Sequence, residues 1–483
     1  MGLCVPKKLT LPILFLIGGI AIMLTAIFAQ ALGLDRAAGW GRGRVAILLI
    51  GMLVVVSAAV VWRAGKATRV LLDRAESFLA ATDWGFQLLA ALRSYWVAVP
   101  LCLFVVLVYV WLVSSGTWTA WTSPTRYYAD LARGFQQGHL YLPIKVNPAL
   151  LTSPDPYAPL PSGATQAPID YTYYKGRYYL PWGAVPALIV WAWRGIFHVW
   201  LGDLQLTFGF ISGLLVAQAL IVLLLWQTPF RMLPKWLLWL AVPVIGLAGP
   251  APFMLNNYLG ARIYEASVAG GQFFLIAGLL MALIALEHYS REWALGVASA
   301  CWALAIGTRP DLILPIAVLV LMISYWLLRS GGLSPKAARG LALLYLPLAM
   351  GGGLIARYNW ARFGSVTETG YYYQLTGANL HKHWAEQFSA AYHRPNLYAY
   401  FINPLQRALS FPYVIAASAP GPRASQPVFY FSQIITGVLW LAPFTAFALA
   451  PLTAIRDRAT VQDTTTAADD APFLGQLGLA LFC

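Results

Sequence analysis

Apolar residues in this chain fall in long unbroken runs separated by shorter polar connections. The runs occupy roughly 10–33, 43–62, 94–114, 180–200, 205–227, 236–256, 267–287, 293–307, 311–328, 338–356 and 429–453. A helix rising 1.5 Å per residue needs about 20 apolar residues to cover about 30 Å of hydrocarbon, and many of the runs reach that length. Barrel strands would show short alternating segments instead. Tryptophans stand near many run ends, at Trp62, Trp96, Trp118, Trp121, Trp226, Trp236 and Trp326, where an amphipathic ring sits at headgroup depth. The pattern predicts an all-α fold, a polytopic transmembrane helical bundle. The first run is long for a signal peptide and lacks a convincing small-residue cleavage site, so it reads as a span.

Two connections are long, about 115–179 and 357–428, and both are rich in Tyr, Pro, Gly and Asn. Loops of that length without an apolar core of their own are usually functional. We expect outer loops carrying short interfacial helices. Between the second and third runs, Leu71, Leu72, Ala75, Phe78 and Leu79 share one helical face, and Arg69, Asp73, Arg74 and Glu76 the other. That stretch reads as an amphipathic helix on the cytoplasmic surface. The expected organisation is an N-terminal hairpin with this helix over 1–93, a transmembrane core over 94–453, and a polar cytoplasmic segment over 454–483. The last residues, 471–483, begin an apolar run too short to span, which reads as a truncated reading frame.

Composition agrees with the pattern. Apolar residues make up 59% of the chain and charged residues 10%, with a mean hydropathy of +0.65, too little charge for a soluble domain's surface. The net charge of +14 would suggest nucleic acid in a soluble protein. Here most Lys and Arg lie in short connections, where they orient spans and meet anionic lipids, so no nucleic-acid partner is expected. Cys4, Cys102, Cys301 and Cys483 have neither disulfide nor zinc spacing. Positive charges at Lys7, Lys8, Arg63, Lys66, Arg329, Lys336, Arg339, Arg456 and Arg458 place both long connections outside the cytoplasmic membrane. That assignment conflicts with full crossing of every run between 180 and 256. The run 180–200, with Pro181, Pro186 and Arg194, is the one expected to be re-entrant or interfacial.

Four polar clusters stand beside the membrane. In the first long connection lie Arg126, Asp130, Asp155, Asp170, Lys175 and Arg177, and 125–137 predicts a short helix with Tyr128, Leu131 and Phe135 along one edge, ended at Gly138. The plain reading is an amphipathic helix on the membrane surface. Arg262 and Glu265 stand at i, i+3, either as a helix-end ion pair or as a carboxylate facing an aqueous cavity. Arg309 and Asp311 flank Pro310, most simply as an interfacial turn. Finally Arg357, Asn359, Arg362, Glu368 and Tyr371–Tyr373 lead into the second long connection, as a solvated loop edge or as groups for phosphate and a sugar ring. His381, His383 and His393 suggest surface histidines rather than metal ligands. Nucleotide-binding, metalloprotease and nucleophile-elbow motifs are absent from the sequence.

The order of several short motifs resembles the GT-C superfamily of membrane glycosyltransferases, which use polyprenyl-phosphate sugars. The segments are Asp155-Pro156-Tyr157, Asp170 through Tyr179, Arg262 to Glu265, and Tyr358 to Gly370, and the resemblance covers about 94–453. It implies sugar transfer to an envelope acceptor, glycan or lipid, on the outer face of the membrane, from a lipid-linked sugar donor. Asp130, Asp170 and Glu265 are the implied catalytic carboxylates. Arg126, Tyr128, Tyr174, Lys175, Arg177, Arg262, Arg357, Asn359, Arg362 and Glu368 are the implied substrate-binding groups. Classical members carry an Asp just before the aromatic start of the first loop helix; here Ser123-Pro124-Thr125 stands there, so Asp130 or Asp170 must supply the acid. Some relatives use a divalent metal, but no convincing set of oxygen ligands is present and none is expected. The alternatives are a transporter or flippase for a lipid-linked saccharide, or a non-catalytic envelope protein.

Overall fold

A computed structural model of the chain describes residues 10–27, 29, 41–63, 98–119, 121–158, 170–227, 234–248, 251–255, 263–287, 291–332, 334–376, 379–387, 389–407, 409, 414–415 and 435–441. Arg262, the amphipathic stretch 69–79 and the segment 454–483 lie outside the described residues.

Along the chain run α1 (Thr10–Ile27), α2 (Arg42–Arg63), α3 (Ala98–Val113), α4 (Tyr127–Gln136), α5 (Pro148–Thr152), β1 (Thr172–Tyr174) and β2 (Arg177–Tyr179). Then follow α6 (Val185–Phe197), α7 (Asp203–Gln227), α8 (Lys235–Ala248), α9 (Ala251–Leu255), α10 (Ile263–Glu287) and α11 (Trp293–Thr308). A 3-10 turn (Pro310–Leu312) leads into α12 (Ile313–Gly331) and α13 (Pro335–Phe363). Beyond these come α14 (Trp384–Gln387), α15 (His393–Leu397), the short strands β3 (Gln406–Arg407) and β4 (Val414–Ile415), and α16 (Val438–Leu441). The described chain is mostly helical, compatible with an all-α bundle, and also holds two antiparallel two-stranded sheets. Among the described residues, four helices are long and apolar enough to cross a membrane: Asp203–Trp226, Tyr264–Leu286, Pro310–Arg329 and Pro335–Phe363.

Contacts divide the chain into two units. The first comprises 1–143, 182–226 and 232–366. Its helices pack closely where side chains are small. A Cβ on Gly51 would lie 2.9 Å from the Gly19 carbonyl and 2.6 Å from Met23 Cγ, whereas one on Gly18 would meet nothing within 4 Å. Gly51 thus sets the spacing of α1 and α2. Gly51→Leu should lower the thermal midpoint of the purified protein, by overpacking worth about 1–3 kcal/mol, while Gly18→Leu leaves it unchanged. Equal midpoints for the two variants would contradict this packing.

Helix α13 contains Pro347, which removes a backbone donor. Next to it, Ser299 of α11 enters the hydrogen-bond ladder. Its hydroxyl donates to Leu344 O at 2.5 Å and accepts from Leu348 N at 3.1 Å. Where water is scarce, that insertion keeps the opened turn satisfied. Trp302 of α11 is fully buried and donates its indole N–H to Leu275 O of α10 at 3.1 Å. The expected single run 236–256 contains two helices, α8 and α9, and α8 carries Pro243.

The second unit comprises 144–181, 227–231 and 367–483. It joins the two long connections to each other. Strands β1 and β2 form a hairpin closed by Lys175 and Gly176, at φ 47 and 72, the left-handed pair that a two-residue turn requires. Tyr173 N donates to Tyr373 O, Asp170 N to Leu375 O, and Thr172 Oγ1 to Gly370 O, at 2.9 Å each.

Candidate functional site

The first unit builds its polar site around α4. No side chain of Arg126 caps this helix. The Asp203 carboxylate, from the first turn of α7, does so instead: Oδ2 accepts from Tyr127 N at 2.9 Å and Oδ1 from Tyr128 N at 3.1 Å. The exchange is mutual, because Ser123 Oγ accepts from Leu204 N at 3.1 Å at the start of α7. Each helix therefore has its orphan donors covered by the other's entry segment. Asp203 is fully buried, and both of its oxygens are engaged. It positions α4 rather than offering a reactive group.

Tyr128, Ala129, Leu131 and Ala132 form the buried face of α4. Gly134 lets the chain fold back, since a Cβ there would collide with the Tyr141 carbonyl. Asp130 stands beside that face, 22% exposed, with Oδ1 2.6 Å from Arg133 Nη1. Burial raises its carboxyl above the usual range, while Arg133, and more weakly Arg126, pull it back. The Tyr128 phenol is pushed upward by burial and by Asp203, opposed by Ser267 of α10 and Arg309. Tyr358 of α13 also faces it. Groups from α4, α7, α10, α13 and the turn before Pro310 therefore meet around one buried tyrosine.

Arg362, only 6% exposed, stacks its guanidinium 3.9 Å from the Tyr358 ring centroid and donates to Asn359 Oδ1 at 2.7 Å. Asn359 in turn donates to Val366 O at 3.2 Å. Phe135 of α4 meets Tyr358 edge-on at 6.3 Å. Arg126, Tyr128, Asp130, Glu265, Arg357, Asn359 and Arg362 thus all belong to the first unit. Arg357 is exposed, and Glu265 lies half-buried on the first turn of α10. Arg309 Nε donates to both Asp311 oxygens, at 2.9 and 2.8 Å, across the 3-10 turn.

Asp170, Tyr174, Lys175, Arg177 and Glu368 belong to the second unit. Asp170 sits at φ 73 and its carboxylate accepts from Gln374 Nε2 at 3.2 Å. Glu368 Oε1 accepts from Gly370 N at 2.6 Å, holding its own turn. Lys175 Nζ lies over the Tyr174 ring at 5.2 Å, and Arg177 is exposed. Neighbouring these, the His381 ring lies between Tyr157 and Tyr372, at centroid distances of 4.1 and 3.9 Å. Asp155 fixes the adjoining segment through Lys382 Nζ at 3.1 Å and Asn379 Nδ2 at 2.8 Å. The Lys382 contact holds the Asp155 carboxyl below its usual range, and burial holds the His381 imidazole below its own. Both groups gain a proton only at a cost to this packing. Its stability should therefore fall as pH drops below about 6.5, the ordinary histidine value, and fall again through the lowered range of Asp155. Hydrogen-exchange protection over 379–383, taken relative to the intrinsic rate at each pH, should fall in those two steps; constant protection down to acid pH would contradict the assignment.

No group of three or more metal-ligating side chains occurs among the described residues. No family model matches the chain, and no curated protein or solved structure matches it either. The sequence pattern missed Asp203, Arg133 and the His381 stack. A signal existed for the first, a lone carboxylate at the mouth of an apolar run, and for the second, its i, i+3 spacing from Asp130.

Proposed function

We propose that this chain is a membrane glycosyltransferase of the GT-C type, moving a sugar from a polyprenyl-phosphate donor to an envelope acceptor. The observation that supports it best is Asp130. A half-buried carboxyl raised by its surroundings and held at 2.6 Å by Arg133 suits general-base work. In the proposed reaction Asp130 takes the proton of the acceptor hydroxyl. The freed oxygen forms the new bond to the anomeric carbon as the bond to the phosphate oxygen breaks. The leaving polyprenyl phosphate carries away that electron pair, and Arg362 and Arg357 offset its charge. Asp170 and Glu368 are engaged in holding loop structure, so they are weaker candidates for the base; Glu265 is the second candidate.

Direct displacement inverts the anomeric centre. Purified protein in vesicles, supplied with a polyprenyl-phosphate sugar and separately with the nucleotide sugar, should use the first only and give an inverted product. Use of the nucleotide sugar, or retained configuration, would contradict the reading.

A further inference from the structure

At the C-terminal ends of α4 and α6 lies a half-open surface cavity of about 340 Å³, lined by Gln136, Trp191, Ala192, Arg194, Gly195 and His198. Arg194 is its cation. Its guanidinium lies 5.6 Å from the centroid of the Trp200 ring, and the Arg133 guanidinium lies 5.0 Å from the same centroid. Asp130 engages Arg133 through Nη1, which leaves the rest of that donor fork available. No carboxylate lies within ion-pair distance of Arg194 among the described residues. His198 closes α6 in the left-handed conformation, φ 58, donating its backbone N–H to Arg194 O at 3.0 Å. A histidine held at positive φ marks a locally over-determined site.

Trp191, Trp193, Ile196, Phe197 and Val199, on α6 and just beyond it, are all exposed. With 13 residues, α6 is about 20 Å long, short of the roughly 30 Å of hydrocarbon. A short helix that exposes Trp, Ile and Phe side chains and carries Arg194 has the make-up of one lying at headgroup depth. The carbonyl ends of α4 and α6 oppose an anion there. They are partial charges, and Gln137, Gly138, His139 and His198 cover several of them with backbone N–H groups. A charge-assisted bond from guanidinium to phosphate is the stronger effect.

We infer that this cavity holds the phosphate of an anionic membrane lipid on Arg194, with the acyl chains among the exposed apolar side chains of α6. The ligand chemistry is a phosphodiester carrying net negative charge, and the exposed apolar side chains of α6 assign it to a lipid rather than to free phosphate. None of these residues is needed as acid or base in the proposed transfer, so binding can be read without that activity.

The test titrates phosphatidylglycerol, phosphatidylcholine and inorganic phosphate into the detergent-purified full chain and reads bound lipid by native mass spectrometry. Phosphatidylglycerol should bind at least about tenfold tighter than phosphatidylcholine, and Arg194→Gln should remove most of that preference, as expected for one lost charge-assisted pair. Gly195→Leu supplies a variant that keeps the fold: a Cβ there meets nothing within 4 Å, and leucine favours the helix, yet its side chain fills the cavity. It should weaken phosphatidylglycerol binding by a similar factor. Equal binding of the two lipids, phosphatidylglycerol binding unchanged in Gly195→Leu, or displacement of the lipid by millimolar inorganic phosphate would each overturn the assignment.

Discussion

Asp130→Asn should lower sugar transfer by about 10²–10⁴-fold, the usual worth of a positioned general base, without unfolding the protein. Asparagine keeps the shape and can still accept from Arg133, so the loss reports the missing proton acceptor. Burial raises the Asp130 carboxyl, and Arg133 opposes that rise by charge and hydrogen bond. The base form is the anion, so the rate should climb with pH through a value above the ordinary carboxylate range. Removing the cation favours the neutral acid further. Arg133→Gln should therefore move the rising limb to higher pH while leaving the plateau less affected. A limb at an ordinary carboxylate value in both proteins would assign the base elsewhere, with Glu265 the next residue to substitute.

Asp203→Ala carries the second large effect. It strips the start of α4 of both its carboxylate bonds, at 2.9 and 3.1 Å, and leaves buried backbone donors of Tyr127 and Tyr128 without acceptors. Loss of the cap and the orphaned donors together should cost about 2–4 kcal/mol. Asp203→Asn keeps one acceptor and should cost about half as much. Because α4 carries Asp130, transfer should fall in both variants, yet the pH of the rising limb should stay near that of the unsubstituted protein. Chemical unfolding and a pH–rate profile on the same preparations check the two halves. A shifted limb would mean that Asp203 acts on the proton directly.

The helical scaffold was readable because a span needs only length and apolarity, and α7, α10, α12 and α13 each show both. The short helix expected over 125–137 is α4, Tyr127–Gln136, with Gly138 beyond it at φ 76; glycine at a left-handed position is a local signal. The hairpin of β1 and β2 was not readable. Its Tyr residues serve either face, and its turn places a lysine rather than Asn or Asp at positive φ. Asp203 shows a deeper limit. Its role depends on a backbone 76 residues away in sequence, and no spacing rule reaches that far. Where the family resemblance expected an acid before Tyr127, the chain has Ser123-Pro124-Thr125, and a carboxylate arrives there from α7 as a cap.

The central claim is that this protein breaks the bond between a sugar and a polyprenyl phosphate, with Asp130 as base. The direct measurement is release of polyprenyl phosphate from a radiolabelled polyprenyl-phosphate sugar by the purified full chain in vesicles, with Asp130→Asn alongside. The unsubstituted protein should release polyprenyl phosphate only with acceptor present, and the variant should release almost none. Equal release by both, or none by the unsubstituted protein across lipid-linked sugars and envelope acceptors, would contradict it.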